Sequence, residues 1–373
     1  MSKLDILAFN ALDAECHLLR VSNDMLRELV HAKLANRLEP RQIALYDKLL
    51  QTQRSRYVAS ASMDENLDDD YQSRYSKYRQ RSAALAIQCV DDLLRQRQLA
   101  PSSIRAIVTN TTVGGTIPNL SSVIGNHLQL GPATKAIDLG YMGCATALLA
   151  LELIEGQLKP GEIGLVLSSE LTSVMVNLAA VSDASLVANT VFGDGVGAFL
   201  VAKRPHSERA LLRILDHAGS LQTSDDALAA VTYEPNPVYH EIRLQETIPE
   251  VAARGVRQVL PPLVRRHLAS WPDKLNYAIR KKTPHWQRHV SRAVLHTAGS
   301  KVLEGLTQAL ELENSQVEHN FRAFRQYGNT SSASLYYALD ELNRTQPPQR
   351  GEILLFLGYG SGFMVRGALM ESQ

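Results

Sequence analysis

Three residues in this chain have the type and setting to do covalent chemistry: Cys144, His296 and Asn329. Cys144 lies in the stretch Asp138 to Leu148, between a β-like run and a strongly helical one, and directly follows Gly143. A thiol at a strand-to-helix turn faces unpaired helical N–H groups and the positive end of the helix dipole. Both favour thiolate over thiol, so the sequence predicts a cysteine of lowered pKa. The competing reading of the same residue is a small, buried packing group.

An acyl-cysteine needs donors for the oxyanion and, to form a carbon–carbon bond, a carbanion partner whose enolate oxygen is also held. Decarboxylation of a malonyl group supplies such a carbanion. His296 closes the apolar run Ala293 to Leu295 and opens into Thr297-Ala298-Gly299-Ser300; Asn329 sits between Gly328 and Thr330-Ser331-Ser332 at a helix entry. Both side chains donate without adding negative charge. Taken singly, the histidine also suits a satisfied strand end, and the asparagine a helix cap.

These residues stand at the ends of alternating strands and helices. Residues 4–9, 104–110, 136–139, 163–170 and 191–201 read as strands or glycine-turn strands, with a long amphipathic helix over 76–98 and a helix over 145–158. Residues 20–60 read as helical, and 64–70 as an acidic surface loop. The second half repeats the pattern with strands at 293–296, 352–357 and 364–369 and helices at 302–312 and 333–342. This is an α/β fold with an internal duplication of pattern: residues 1–205 form a half carrying Cys144, and 206–373 a half carrying His296 and Asn329.

At 373 residues, 45% hydrophobic and 21% charged, the chain is built for a folded core and not for disorder. Its 39 Lys and Arg against 38 Asp and Glu exclude a global nucleic-acid footprint. The three cysteines, Cys16, Cys89 and Cys144, form no CxxC pair, which disfavours a zinc site or disulfide framework and suits the reducing cytoplasm. No run of apolar residues is long enough to span a bilayer, and the first residues lack the build of a signal peptide. Residues 251–292 stand out as a basic insertion, with Asp273 as their sole acid. They read as a solvated basic helix, a docking face for an acidic carrier protein, a coenzyme A phosphate site or a peripheral membrane contact.

The stretches ending in Gly143-Cys144, Leu295-His296-Thr297, Tyr327-Gly328-Asn329-Thr330 and Gly358 to Phe363 resemble the thiolase-fold condensing enzymes, in particular the very-long-chain 3-ketoacyl-CoA synthases and the type III polyketide synthases. The likeness runs from about residue 80 to the C-terminus. It implies a duplicated five-layered αβαβα fold, a homodimer paired through the strand near 104–110, and substrates that are acyl and malonyl thioesters of coenzyme A or acyl carrier protein, with no further cofactor and no metal. It implies that Cys144 carries the acyl group, that His296 and Asn329 polarise the malonyl thioester, and that the backbone of Cys144, Gly360 and Ser361 forms the oxyanion hole. It also places Phe192 as a gatekeeper ring, Ile117 where a partner residue crosses into the pocket, and Arg56 at the coenzyme A phosphates. The elongases carry N-terminal membrane helices that are not seen here, so the chain reads as a soluble relative. The expectation is an acyltransferase performing decarboxylative Claisen condensation to a 3-oxoacyl product or short polyketide. The alternatives are acyl transfer to an amine or alcohol, and a non-catalytic partner subunit.

Overall fold

A computed structural model describes residues 2–34, 36, 38–51, 55–58, 70–176, 182–235, 240–267 and 286–373. In chain order the strands are β1 (Leu4–Ala11), β2 (Leu19–Ser22), β3 (Ser55–Val58), β4 (Ile104–Thr111), β5 (Lys135–Gly140), β6 (Ile163–Glu170), β7 (Gly195–Lys203), β8 (Leu212–Leu221), β9 (Val231–Pro235), β10 (His240–Leu244), β11 (Arg292–Leu295), β12 (Ile353–Gly360) and β13 (Met364–Ser372). The longer helices are α1 (Asn23–Leu34), α2 (Pro40–Leu50), α3 (Tyr71–Arg97), α4 (Leu120–His127), α5 (Thr146–Gln157), α6 (Asp183–Val191), α7 (Ile248–His267), α8 (Ser300–Ala309), α9 (Asn314–Tyr327) and α10 (Ser334–Thr345).

The duplication is written in the ladder. The first half runs β5-β4-β6-β7-β1, with β4 parallel to β5 and β6, and β7 antiparallel to β6 and β1. The second runs β11-β12-β13-β8, again with a parallel pair followed by two antiparallel ones. The halves join through two residue pairs, Asp5 with Arg213 and Ile6 with Leu212.

Side-chain patterning fixes the layers. Helix α3 starts at Asp70, whose carboxylate caps Ser73 N, and buries Tyr78, Leu85, Cys89 and Leu93 at helical spacing. With Ile124 of α4 it covers the outer face of the first half, against Ile107, Leu165 and Leu200. Helix α5 is buried almost all round, from Thr146 to Leu151 and at Ile154, and α10 likewise. Apolar residues on every side require protein on every side. These two helices accordingly lie between the halves, packing Leu148, Leu151, Leu335 and Leu339 against Val166 and Phe356. Each such buried side chain stabilises by about 1.5–3 kcal/mol. Helices α7, α8 and α9 close the far side through Val256, Leu303 and Phe324. The result is the five-layered αβαβα thiolase architecture.

Three expectations change. Residues 20–60 are not helical throughout: β2 and β3 pair antiparallel, enclosing α1 and α2. Strand β4 (104–111) is occupied on both sides, so the proposed dimer edge cannot be there; the open edge of this half is the half-exposed β5. The basic segment begins as α7, a built-in outer-layer helix. Within this helix the apolar side (Val251, Val256, Val259, Leu263) packs on the core. On its solvent side Arg254 pairs with Asp226 and Arg266 with Asp216. The rest of the basic run, 268–285, and most of the acidic loop 64–70 lie outside the described residues. Among the described residues no helix is long and apolar enough to cross a membrane.

Candidate active site

Strand β5 delivers Cys144 through a turn in which Tyr141 and Gly143 both adopt left-handed backbone, at φ 61° and 75°. Thr146 then starts α5, its hydroxyl donating to Gly143 O at 2.5 Å. The turn is seated on the end of β12. A Cβ on Gly143 would stand 2.5 Å from Ser361 N, and one on Gly360 would overlap Cys144 N and lie 3.2 Å from Cys144 Cβ. Glycine is therefore required at 360 by close backbone approach, which is how Gly360 and Ser361 come beside the Cys144 amide. We expect Gly360→Ala to displace the turn, slow acyl loading of Cys144 at least tenfold and cost about 1–3 kcal/mol of stability in thermal unfolding. Gly125→Ala, in helix α4 with open space around it, is the control and should leave both intact.

The second half supplies the remaining groups. His296 follows β11, its amide donating to Leu357 O, its Nδ1 2.6 Å from Ser334 Oγ and its carbonyl accepting from Tyr359 OH at 2.7 Å. Asn329 follows α9, a helix opened by a capping box between Glu313 and Gln316 and closed by Gly328 at φ 72°. Its amide donates to Ala298 O at 3.3 Å and its Oδ1 accepts from Ser331 N at 2.9 Å, tying the two loops together. Ser331 is held at φ 53°, a left-handed conformation that costs a non-glycine residue about 1–2 kcal/mol. That strain aims its hydroxyl at Cys144, where Oγ donates to Sγ at 3.2 Å.

Electrostatics depart from the sequence expectation. Burial pushes the Cys144 thiol up to about 12, with Glu170 adding to the rise and the Ser331 hydrogen bond opposing it. Desolvation thus opposes the helix end, in the direction opposite to the sequence expectation. Burial likewise pushes His296 down to about 3, so its ring is neutral, and no hydrogen bond among the described residues joins it to Cys144.

Sequence reasoning missed the buried acid. Glu170 ends β6, wholly buried, accepting from Thr112 N at 2.8 Å, Thr112 Oγ1 at 3.2 Å and Ser332 Oγ. Burial raises it to about 7 despite those bonds. The available signal was a carboxylate closing an otherwise apolar and hydroxyl strand, Ile163 to Ser169.

The other expected residues divide. Phe192 is buried and its backbone bridges Asn329, which places it beside the Asn329 loop. Ile117 is 85% exposed, on the loop whose Gly114 packs on Tyr141. Arg56 is a correction. It is 3% exposed, and its guanidinium donates to the carbonyls of Asn189 and Phe192 at 2.9 and 3.2 Å. It straps the Phe192 segment and presents no charge to a solvent-borne phosphate.

With this geometry in hand, comparison with known proteins defines the class. The FAE1/type III polyketide synthase-like family model matches residues 9–283, and the C-terminal model of 3-oxoacyl-[acyl-carrier-protein] synthase III matches 284–372. The chain belongs to the FAE1/type III polyketide synthase-like family. Among relatives, 3-ketoacyl-CoA synthase 7 of Arabidopsis thaliana is 27% identical over 314 residues, covering 79% of this chain and 67% of that one. Probable 3-ketoacyl-CoA synthase 21 of the same plant is 25% identical over 298 residues, covering 75% and 64%. The chain thus spans about two thirds of the length of these curated relatives. Similar solved structures include 1,3,6,8-tetrahydroxynaphthalene synthase of Streptomyces coelicolor A3(2), with TM-score 0.81, 17% identity and coverage of 100% and 99%. A type III polyketide synthase domain of Steely1 from Dictyostelium gives TM-score 0.81, 18% identity and 99% coverage of both chains.

Proposed function

We propose that this chain is an acyltransferase that condenses an acyl thioester with malonyl-CoA or malonyl-carrier protein by decarboxylative Claisen chemistry. The supporting observation is the convergence of three loops. The Cys144 turn sits on Gly360, and the His296 and Asn329 loops are tied to each other at Ala298 and reach Cys144 through Ser331. Cys144 attacks the acyl thioester and expels its thiol; the Cys144 and Gly360–Ser361 backbone receives the oxyanion. His296 and Asn329 then polarise the malonyl thioester carbonyl while its carboxylate leaves as CO2. The enolate attacks the acyl-cysteine, giving a 3-oxoacyl product. A neutral His296 suits this role, since a donor that keeps its proton stabilises the enolate without quenching it. The thioesters are the substrates and no further cofactor is used.

We place the enzyme in the cytoplasm as a homodimer joined through the open edge of β5. That face also carries the exposed side chains of Ile117, Tyr141 and Met142, which a second protomer would cover.

Incubation with a fatty acyl-CoA and carboxyl-labelled malonyl-CoA should release labelled CO2 and yield a 3-oxoacyl thioester. Acylation of Cys144 without either product would reject the condensing role and leave acyl transfer to an amine or alcohol.

A further inference from the structure

Asn329 is fixed by more than its side chain. Its backbone lies against the segment that leaves α6. Asn329 N donates to Val191 O at 2.7 Å and Gly193 N donates to Asn329 O at 3.1 Å, the two bonds of a parallel bridge centred on Phe192. The approach is close: a Cβ on Gly193 would stand 2.3 Å from Tyr327 O. A shift of residues 191–193 therefore shifts Asn329.

Strand β3 grips both arms of this bridge. On one arm Arg56 Nη1 donates to Asn189 O at 2.9 Å and to Phe192 O at 3.2 Å, and Asp194 N donates to Tyr57 O at 2.8 Å. On the other, Ser55 Oγ donates to Gln326 O at 3.1 Å and the Tyr57 ring packs on Tyr327 at 5.6 Å. Arg56 is the unusual member. A single nitrogen makes both of its bonds, while its buried Nε and Nη2 have no partner, and no carboxylate pairs with it among the described residues. A buried cation without a counter-ion works against stability. Folds break such local rules chiefly where a functional group has to be placed. The carbonyls that Arg56 holds lie at the C-terminal end of α6, where backbone acceptors lack helical partners and a cation is favoured.

We propose that Arg56 is a positioning residue for Asn329. By holding the carbonyls of Asn189 and Phe192 it sets where the 191–193 segment carries Asn329, and with it the aim of the amide at the malonyl thioester. The inference rests on the reading of Asn329 as a group that polarises that thioester. Cys144 is seated on Gly360, away from this segment, so acyl loading does not depend on Arg56.

The test measures Arg56→Met in two ways. Hydrogen exchange read by mass at the Gly193 and Asn329 amides reports position without condensation. Both should exchange roughly tenfold faster than in wild type, while the Leu295 amide, bonded to Asn320 Oδ1, stays unchanged. Single-turnover assays report the consequence: acylation of Cys144 within about threefold of wild type, but release of labelled CO2 from carboxyl-labelled malonyl-CoA lowered about 10- to 100-fold. Once Asn329→Asp has removed the positioned amide, adding Arg56→Met should lower CO2 release less than about twofold further, whereas a general loss of structure would multiply the two effects. If Arg56→Met does not fold, Arg56→Gln is read on the same measurements. Wild-type exchange at both amides, full CO2 release from normally acylated enzyme, or losses that multiply in the double variant would overturn the proposal. A wild-type enzyme that is acylated but releases no CO2 would reject the condensing role instead, and the exchange rates would still decide the positioning.

Discussion

Cys144→Ala is expected to abolish acyl loading and to lower condensation roughly 1,000-fold or more, the scale of loss when a covalent nucleophile is removed and only binding contacts are left. The change should be clean. The turn is held by the Thr146 bonds to Gly143 and by its seat on Gly360, none of which uses sulfur. The lost contact is the Ser331 hydrogen bond, and such a bond contributes about 1 kcal/mol. Thermal unfolding should therefore barely move while the acyl adduct vanishes from the intact-mass spectrum. Retention of the adduct, or its appearance on Cys16 or Cys89, would place the nucleophile elsewhere.

Asn329→Asp should separate the two half-reactions. An aspartate keeps an oxygen to accept from Ser331 N, so the strained serine and its contact with Cys144 survive. It loses the amide donor and puts negative charge beside a developing enolate. Removing one such donor costs about 100- to 1,000-fold in turnover. Acyl loading of Cys144 should stay within a few-fold of wild type while labelled CO2 release collapses. If turnover persisted in Asn329→Asp, the enzyme would be transferring acyl groups without making a carbanion.

The sequence made the Cys144 turn and the alternation of strands and helices readable, because both are local. Glycine before cysteine, an apolar run before it and a helical run after it all lie within about a dozen residues. The meeting of His296 and Asn329 was readable as resemblance. What escaped was long-range. Ser331 touches Cys144 across 187 positions, Thr112 meets Ser331 across 219, and Glu170 meets Thr112 across 58. Hydroxyl residues are too common in sequence to mark a buried hydrogen-bond network until folding lines them up.

The thiol's pKa failed for a related reason: a helix end is visible in sequence, whereas the depth of burial that opposes it is not. Strands β4 and β5 show the same limit. Both read as apolar strands, and only the ladder shows which one is covered on both sides. Arg56 had the charge expected of a phosphate contact, but its guanidinium is used on two backbone carbonyls.

The most direct test is a single-turnover experiment on enzyme acylated at Cys144 and freed of excess acyl-CoA. On adding carboxyl-labelled malonyl-CoA, loss of the adduct by mass should keep pace with labelled CO2, one for each acyl group discharged, with a 3-oxoacyl thioester as product. Discharge of the adduct to water, an amine or an alcohol with no matching CO2 would contradict condensation at this site.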